Sequence, residues 1–156
     1  MRGKQALKRD IQPDPKFDNA QLAKFINYIM TRGKKSTAQR IVYNCFDIIS
    51  EKSKKDPLDV FDKAIKNISP SMEVRGRRIG GANYQIPYPV RTERKFTLAC
   101  RWLITASKNR KGRSMAEKLA FEIMDAAQEQ GEAYKKKVDV HKMAEANRAF
   151  AHFARF

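Results

Sequence analysis

Along the first third of the chain, apolar side chains recur with the spacing of a helix face. After a polar opening that contains Pro13 and Pro15, Leu22, Phe25, Ile26, Ile29 and Met30 fall at i, i+3, i+4, i+7 and i+8, with Asp18 or Asn19 placed as cap and Gly33 as stop. Ala38, Ile41, Val42, Cys45, Phe46, Ile48 and Ile49 form a second, wider stripe that Ser36 can cap and the polar residues 52–55 close. Asp56, Pro57 and Asp59 then read as cap, first-turn proline and first-turn acid of a third helix, whose inward set is Leu58, Phe61, Ala64, Ile65 and Ile68. Ser69-Pro70 stops it.

Beyond Pro70 the period changes from about 3.6 to about 2. Met72, Val74 and Gly76 alternate before Gly80-Gly81, and Tyr84, Ile86, Tyr88 and Val90 alternate after it, which predicts a β-hairpin over about 72–90. Pro87 and Pro89 cannot donate ladder hydrogen bonds, so the second strand must be an edge. A two-stranded ribbon is marginal alone, and the hairpin is expected to project and to be ordered mainly by a partner.

The helical period then returns. Thr92 or Glu93 opens a fourth helix with Phe96, Ala99, Leu103 and Ala106 on one side. Ser114 caps a fifth, with Met115, Leu119, Ile123 and Ala126 inward, Glu117, Glu122, Asp125 and Glu129 outward, and Gly131 as its stop. A last helix is expected from about Asp139 through Met143, Ala146, Phe150 and Phe153. The pattern thus predicts a mainly α protein: a single domain over 17–156 of about six helices, a hairpin inserted between helices three and four, and an extended basic arm over 1–16.

Charge narrows the partner. The 156 residues carry 33 Lys+Arg against 17 Asp+Glu, a formal charge of +16. That points to a polyanion, nucleic acid before membrane. No stretch approaches the ~20 apolar residues a bilayer span needs, and residues 1–5 lack the apolar segment of a signal peptide, so an intracellular, membrane-free protein is expected. More than half of the net charge comes from residues 72–113, which hold eight Arg to three Lys, whereas the rest of the chain favours Lys. Arginine grips phosphate bidentately and stacks on bases, so this bias suits a structured contact better than solubility alone. Arg94, Arg101 and Lys108 recur every seven residues on helix four, a stripe that Arg91 and Lys95 extend and that Arg110, Lys111 and Arg113 continue into the next loop. With Arg75, Arg77 and Arg78 on the hairpin these make a nucleic-acid surface, with Tyr84 and Tyr88 as candidates for base stacking and packing against helix four an equal alternative for Tyr88. Irregular RNA suits it better than a duplex groove. The runs 52–55 and 135–137 read as well as solvated helix ends.

Catalytic chemistry finds little support. His141 and His152 lie eleven residues apart, Glu145 next to His141 on the helix reads as a surface pair, and there is no phosphate loop or nucleophile elbow. Cys45 and Cys100 read as buried free thiols. No metal or cofactor is expected. Two readings compete with RNA binding: non-specific DNA compaction, which the same charge allows, and RNA modification, which the missing catalytic constellation disfavours.

Several segments carry a more specific signal. They are Pro13-Asp14-Pro15-Lys16-Phe17, Gly33-Lys34-Lys35-Ser36-Thr37-Ala38, Gly80-Gly81-Ala82-Asn83-Tyr84-Gln85, Arg101-Trp102-Leu103, and the run from His141 through Met143, Ala146, Asn147 and Phe150 to His152. In this order the chain resembles the bacterial-type small-subunit ribosomal protein S-seven family. The resemblance implies a structural component of the small ribosomal subunit, with no enzymatic activity, at work in the cytoplasm within the ribosome. It implies binding to the three-prime major domain of the small-subunit ribosomal RNA early in head assembly. Exit-site transfer RNA, the messenger path and neighbouring head and platform proteins are the implied further partners. Carried over by position, Arg2, Lys4, Lys8 and Arg9 of the arm, Arg32, Lys34 and Lys35 of the first turn, Arg75, the stripe Arg91, Arg94, Lys95, Arg101 and Lys108, and the loop Arg110, Lys111 and Arg113 are expected on ribosomal RNA. Arg77, Arg78, Tyr84 and Arg148 are expected near transfer RNA.

Overall fold

The computed structural model describes Gly3 and residues 10–155, which form two compact units, one ending at Arg40 and one running from Ile41 onward. The expected arm residues Arg2, Lys4, Lys8 and Arg9 lie outside the described residues.

In the first unit, buried Asp14 organises the approach to the first helix: its Oδ2 accepts from the backbone N–H of Lys16 at 3.1 Å and of Phe17 at 3.3 Å. Helix α1 (Ala20–Ile29) follows, and Asn19 caps it by accepting from Gln21 and Leu22. Its buried set, Leu22, Ala23, Phe25, Ile26 and Ile29, holds four of the five predicted stripe residues; the fifth, Met30, lies at the C-cap and is half-buried. Arg32 (φ 52°) and Gly33 (φ 74°) reverse the chain in the left-handed region. Helix α2 (Lys35–Ser53) starts two residues earlier than expected, so Ser36 lies in its first turn instead of capping it, and the boundary between the units falls within this helix.

The second unit contains the rest of α2 and seven further elements: α3 (Pro57–Ile68), strands β1 (Met72–Ile79) and β2 (Ala82–Pro89), α4 (Thr92–Asn109), α5 (Met115–Ala127), α6 (Gly131–Ala146) and a terminal 3₁₀ helix (Arg148–Arg155). The mainly helical class and the hairpin between α3 and α4 are as the sequence predicts. Asp56 caps α3 with Pro57 in its first turn, and Ser114 caps α5. The core is built from Val42, Cys45, Phe46, Ile49, Phe61, Ala64, Ile68, Ile86, Leu103, Leu119 and Ile123, all buried. The rings of Phe46 and Phe61 meet at 5.9 Å between centroids. Cys45 and Cys100 are buried and not joined in a disulfide, and desolvation pushes Cys45 far above its ordinary value.

The ends of three helices are closed by side chains from other helices. Asn67 of α3 donates its Nδ2 to the carbonyls of Ala126 (3.0 Å) and Ala127 (3.2 Å) at the end of α5. Lys137 of α6 donates to the carbonyl of Asn67 at 2.7 Å. Glu122 of α5 accepts the N–H of Ala133 at 2.9 Å, in the first turn of α6. This last bond corrects two expectations. Glu122 does not face outward: it is 0% exposed, with Oε2 held by Arg110 Nε at 2.6 Å. The last helix does not begin near Asp139, because the remote carboxylate starts it at Gly131, where no local side chain caps it, and residues 135–137 therefore lie inside the helix. Only Ala133 and Ala144 of α6 are buried, so its apolar periodicity was too weak to mark the start. The end also differs. Asn147 donates its side-chain amide to the carbonyl of Met143 at 2.8 Å, and the chain continues from Arg148 in 3₁₀ form.

β1 and β2 pair antiparallel from Met72 opposite Pro89 to Ile79 opposite Ala82, across Gly80 (φ 56°) and Gly81 (φ 91°). Two successive positive φ values are what the tight primed hairpin turn requires. Glu73, Arg75, Arg77, Tyr84, Ile86 and Tyr88 share one face, and Met72, Val74, Pro87 and Pro89 share the other. The ribbon is not left to a partner, since residues three apart eclipse in a 3₁₀ helix and the terminal segment therefore presents Phe150 and Phe153 together to Tyr84, at 5.1 and 5.9 Å between centroids.

Glu122→Ala is expected to lower stability to unfolding by about 3 kcal/mol, the usual cost of removing one member of a buried ion pair. Glu122→Gln keeps an acceptor for Ala133 and is expected to recover part of it. Urea denaturation midpoints of the three chains test this.

Candidate nucleic-acid interface

The α4 stripe exists as a face of the helix. Leu98, Ala99, Cys100, Leu103, Ile104, Ala106 and Ser107 are buried, while Arg91, Arg94, Arg101 and Lys108 are exposed; Lys95 is half-buried at the margin. In the following loop Lys111 and Arg113 are exposed around Gly112 (φ 79°).

Arg110 has a different role from its neighbours. Its guanidinium bonds Glu122 through Nε and Asp125 through Nη2, and it is 31% exposed. Burial works against its charge, but the hydrogen bonds it donates to Asp125 and Glu122, with the charges of both, outweigh that and raise its pKa. Arg110 thus gives two of its donors to carboxylates and fixes the loop from which Lys111 and Arg113 project, while about a third of its side chain stays exposed. Arg113 lies over the ring of Phe121 at 4.4 Å, and Lys52 over the same ring at 3.9 Å. Sequence reading missed Phe121 and the use it makes of Lys52. The available signal was that Phe121, a large aromatic residue, falls outside the inward set of α5.

At the base of the hairpin, Glu73 plays the part of Glu122 again. It is buried, accepts from Arg75 Nε at 2.7 Å and from Arg75 Nη2, and accepts from Arg94 Nε at 3.3 Å. Arg75 also lies 5.3 Å over the ring of Tyr88. Nearer the tip, Arg78 is exposed, and Arg77 Nη1 donates to the carbonyl of Phe153 at 3.2 Å. Tyr84, the other stacking candidate on the hairpin, packs its ring on Phe150 and Phe153. Arg148 is exposed and pairs with Glu145 at 3.4 Å. In the first unit Arg32, Lys34 and Lys35 are exposed on the turn between α1 and α2.

His141 has a structural partner, and it is not Glu145. Its Nε2 accepts the backbone N–H of Ser71 at 3.1 Å, which ties α6 to the start of the hairpin. Desolvation and the neighbouring Lys137 charge hold its pKa below the ordinary histidine value. Among the described residues no group of three or more His, Cys, Asp or Glu is placed to hold a metal ion, and no helix is long and apolar enough to cross a membrane.

Comparison with known proteins gives a consistent result. The family described as ribosomal protein S7p/S5e matches residues 1–148. The small ribosomal subunit protein uS7 of Marinobacter nauticus is 57% identical over 148 residues, 95% of each chain. The uS7 proteins of Carboxydothermus hydrogenoformans and Thermotoga maritima are 58% identical over 146 residues and 56% over 153 residues. These alignments cover 94% of both chains in the first case, and 98% of this chain with 99% of the relative in the second.

Because a depressed histidine pKa means that the unfolded chain binds the proton more tightly, the Ser71–His141 contribution is complete above about pH 6.5 and is lost as pH falls through the folded value. His141→Gln retains an acceptor without the titration. Between pH 7.5 and 5 the wild-type chain is expected to lose urea resistance relative to His141→Gln; parallel profiles would exclude His141 as the origin.

Proposed function

The chain belongs to the ribosomal protein S7p/S5e family, whose members are structural, non-enzymatic components of the small ribosomal subunit, and on that basis we propose that it binds the three-prime major domain of the small-subunit ribosomal RNA and helps nucleate assembly of the subunit head. The observation that carries this reading is the exposed row Arg91, Arg94, Arg101 and Lys108 on one face of α4, running into Lys111 and Arg113. A rigid helix with cations about two turns apart neutralises phosphates at fixed positions without reading base edges, which is shape recognition of a folded RNA. Arg32, Lys34 and Lys35, and Arg2, Lys4, Lys8 and Arg9 of the arm, bind further phosphates in the same role.

The hairpin and the terminal 3₁₀ helix serve a second contact, with exit-site transfer RNA and the messenger path. Arg77, Arg78 and Arg148 supply the charge there, and Tyr84 holds the two segments together. Neighbouring head and platform proteins complete the set of partners. The chain acts as a scaffold, in which charge and fixed shape suffice and no bond is made or broken.

A transcript of the head domain and duplex DNA of equal length, titrated with the protein across salt, test this. Preference for the transcript supports the reading, and equal, steeply salt-dependent binding to both would leave only a general polyanion binder. Arg101→Ala with Lys108→Ala is expected to shallow the salt slope by roughly 0.7 to 0.9 for each phosphate that is no longer neutralised, with stability unchanged. Arg94→Ala is expected to weaken binding and also to lower stability, since it removes a partner from buried Glu73.

A further inference from the structure

The base of the hairpin carries a recess of about 620 Å³ lined by Arg75, Tyr88, Pro89, Val90, Arg91 and Arg94. Three guanidinium groups beside a phenol ring and a proline combine strong positive charge with flat apolar surface. The volume falls within the roughly 300–1,000 Å³ typical of sites for small organic ligands, room for a nucleotide but not for a duplex.

Two of the three guanidinium groups are tied in place before any ligand arrives. Glu73 takes two N–H donors of Arg75 and one of Arg94, out of five on each guanidinium. The rotamer entropy of both arginines is therefore lost on folding and not again on binding. Because Arg75 lies over Tyr88, ring and guanidinium form adjoining stacking surfaces.

We propose that this recess takes a single unstacked nucleotide of single-stranded RNA, with its base laid on Tyr88 and Arg75 and its phosphates held by Arg91 and Arg94. The proposal rests on the RNA-binding reading above and adds to it a place where the chain holds a base. Nucleotides splayed from loops and bulges are bound by stacking on aromatic rings and arginine planes, and their phosphates by arginine forks. A duplex offers phosphates but keeps its base faces covered, so it satisfies only the charged half of the site.

The head-domain transcript, titrated across salt with the full chain, separates the two halves. Tyr88→Leu keeps apolar bulk at the hairpin base but removes the aromatic face. It is expected to weaken binding between about fivefold and about a hundredfold with the salt slope unchanged. Arg91→Ala is expected to shallow the slope by roughly 0.7 to 0.9. Tyr88→Trp keeps an aromatic face and is expected to bind as the wild type does, with its added emission, measured against the wild-type Trp102 signal, quenched by the transcript. Tyr88→Leu binding as tightly as the wild type, or an unquenched Tyr88→Trp, overturns the proposal; the second readout holds even if Tyr88→Leu fails to fold. Loss of the wild-type preference for the transcript over DNA would instead defeat the RNA reading itself, so the two failures are distinct.

Discussion

A carboxylate with no exposed surface must be paired or protonated, and the second unit is arranged around meeting that demand at Glu122. The two oxygens do different work. Oε2 is neutralised by Arg110, and Oε1 receives the backbone N–H of Ala133. One acid from α5 therefore fixes both the loop that leaves α4 and the point at which α6 begins. The loop presents Lys111 and Arg113, and α6 carries His141 to the start of the hairpin. Gly131 completes the constraint: a Cβ there would approach Glu122 Oε1 to 2.8 Å, and its φ of 88° disfavours any other residue.

Glu73 shows that this is a pattern and not one accident. In a chain with about twice as many cations as anions, most arginines could point anywhere in solvent. The few buried acids decide which of them cannot. Arg110 is held half-buried between two carboxylates, whereas Arg75 and Arg94 are oriented while remaining more exposed. Buried ion pairs contribute little net stability compared with apolar packing. Their use here is directional: they set the geometry of charge that a flexible side chain would otherwise leave undefined.

Much of the fold was legible because its signals are local. The stripe of α1, the Asp56-Pro57 start of α3, the glycine turn of the hairpin and the Ser114 cap each lie within a few residues of what they determine. What escaped was set from a distance. The start of α6 depends on an acid in α5, and the commitment of Arg110 depends on residues 12 and 15 positions further on. Charge counting found the α4 stripe but could not distinguish Arg101, exposed on the helix, from Arg110, held inside the loop. The ring partners of Tyr84 escaped for the same reason, as they lie more than sixty residues away.

The contact between Tyr84 and the terminal segment also gives the chain a temporal order. A protein made from its N-terminus has β1 and β2 in hand long before Phe150 and Phe153 exist. A two-stranded ribbon is marginal without added packing. The nascent hairpin therefore waits in an unfinished state, with its tyrosine uncovered, until Phe150 and Phe153 have been added. A product truncated before Phe150 would therefore lack a braced hairpin even with every hairpin residue present.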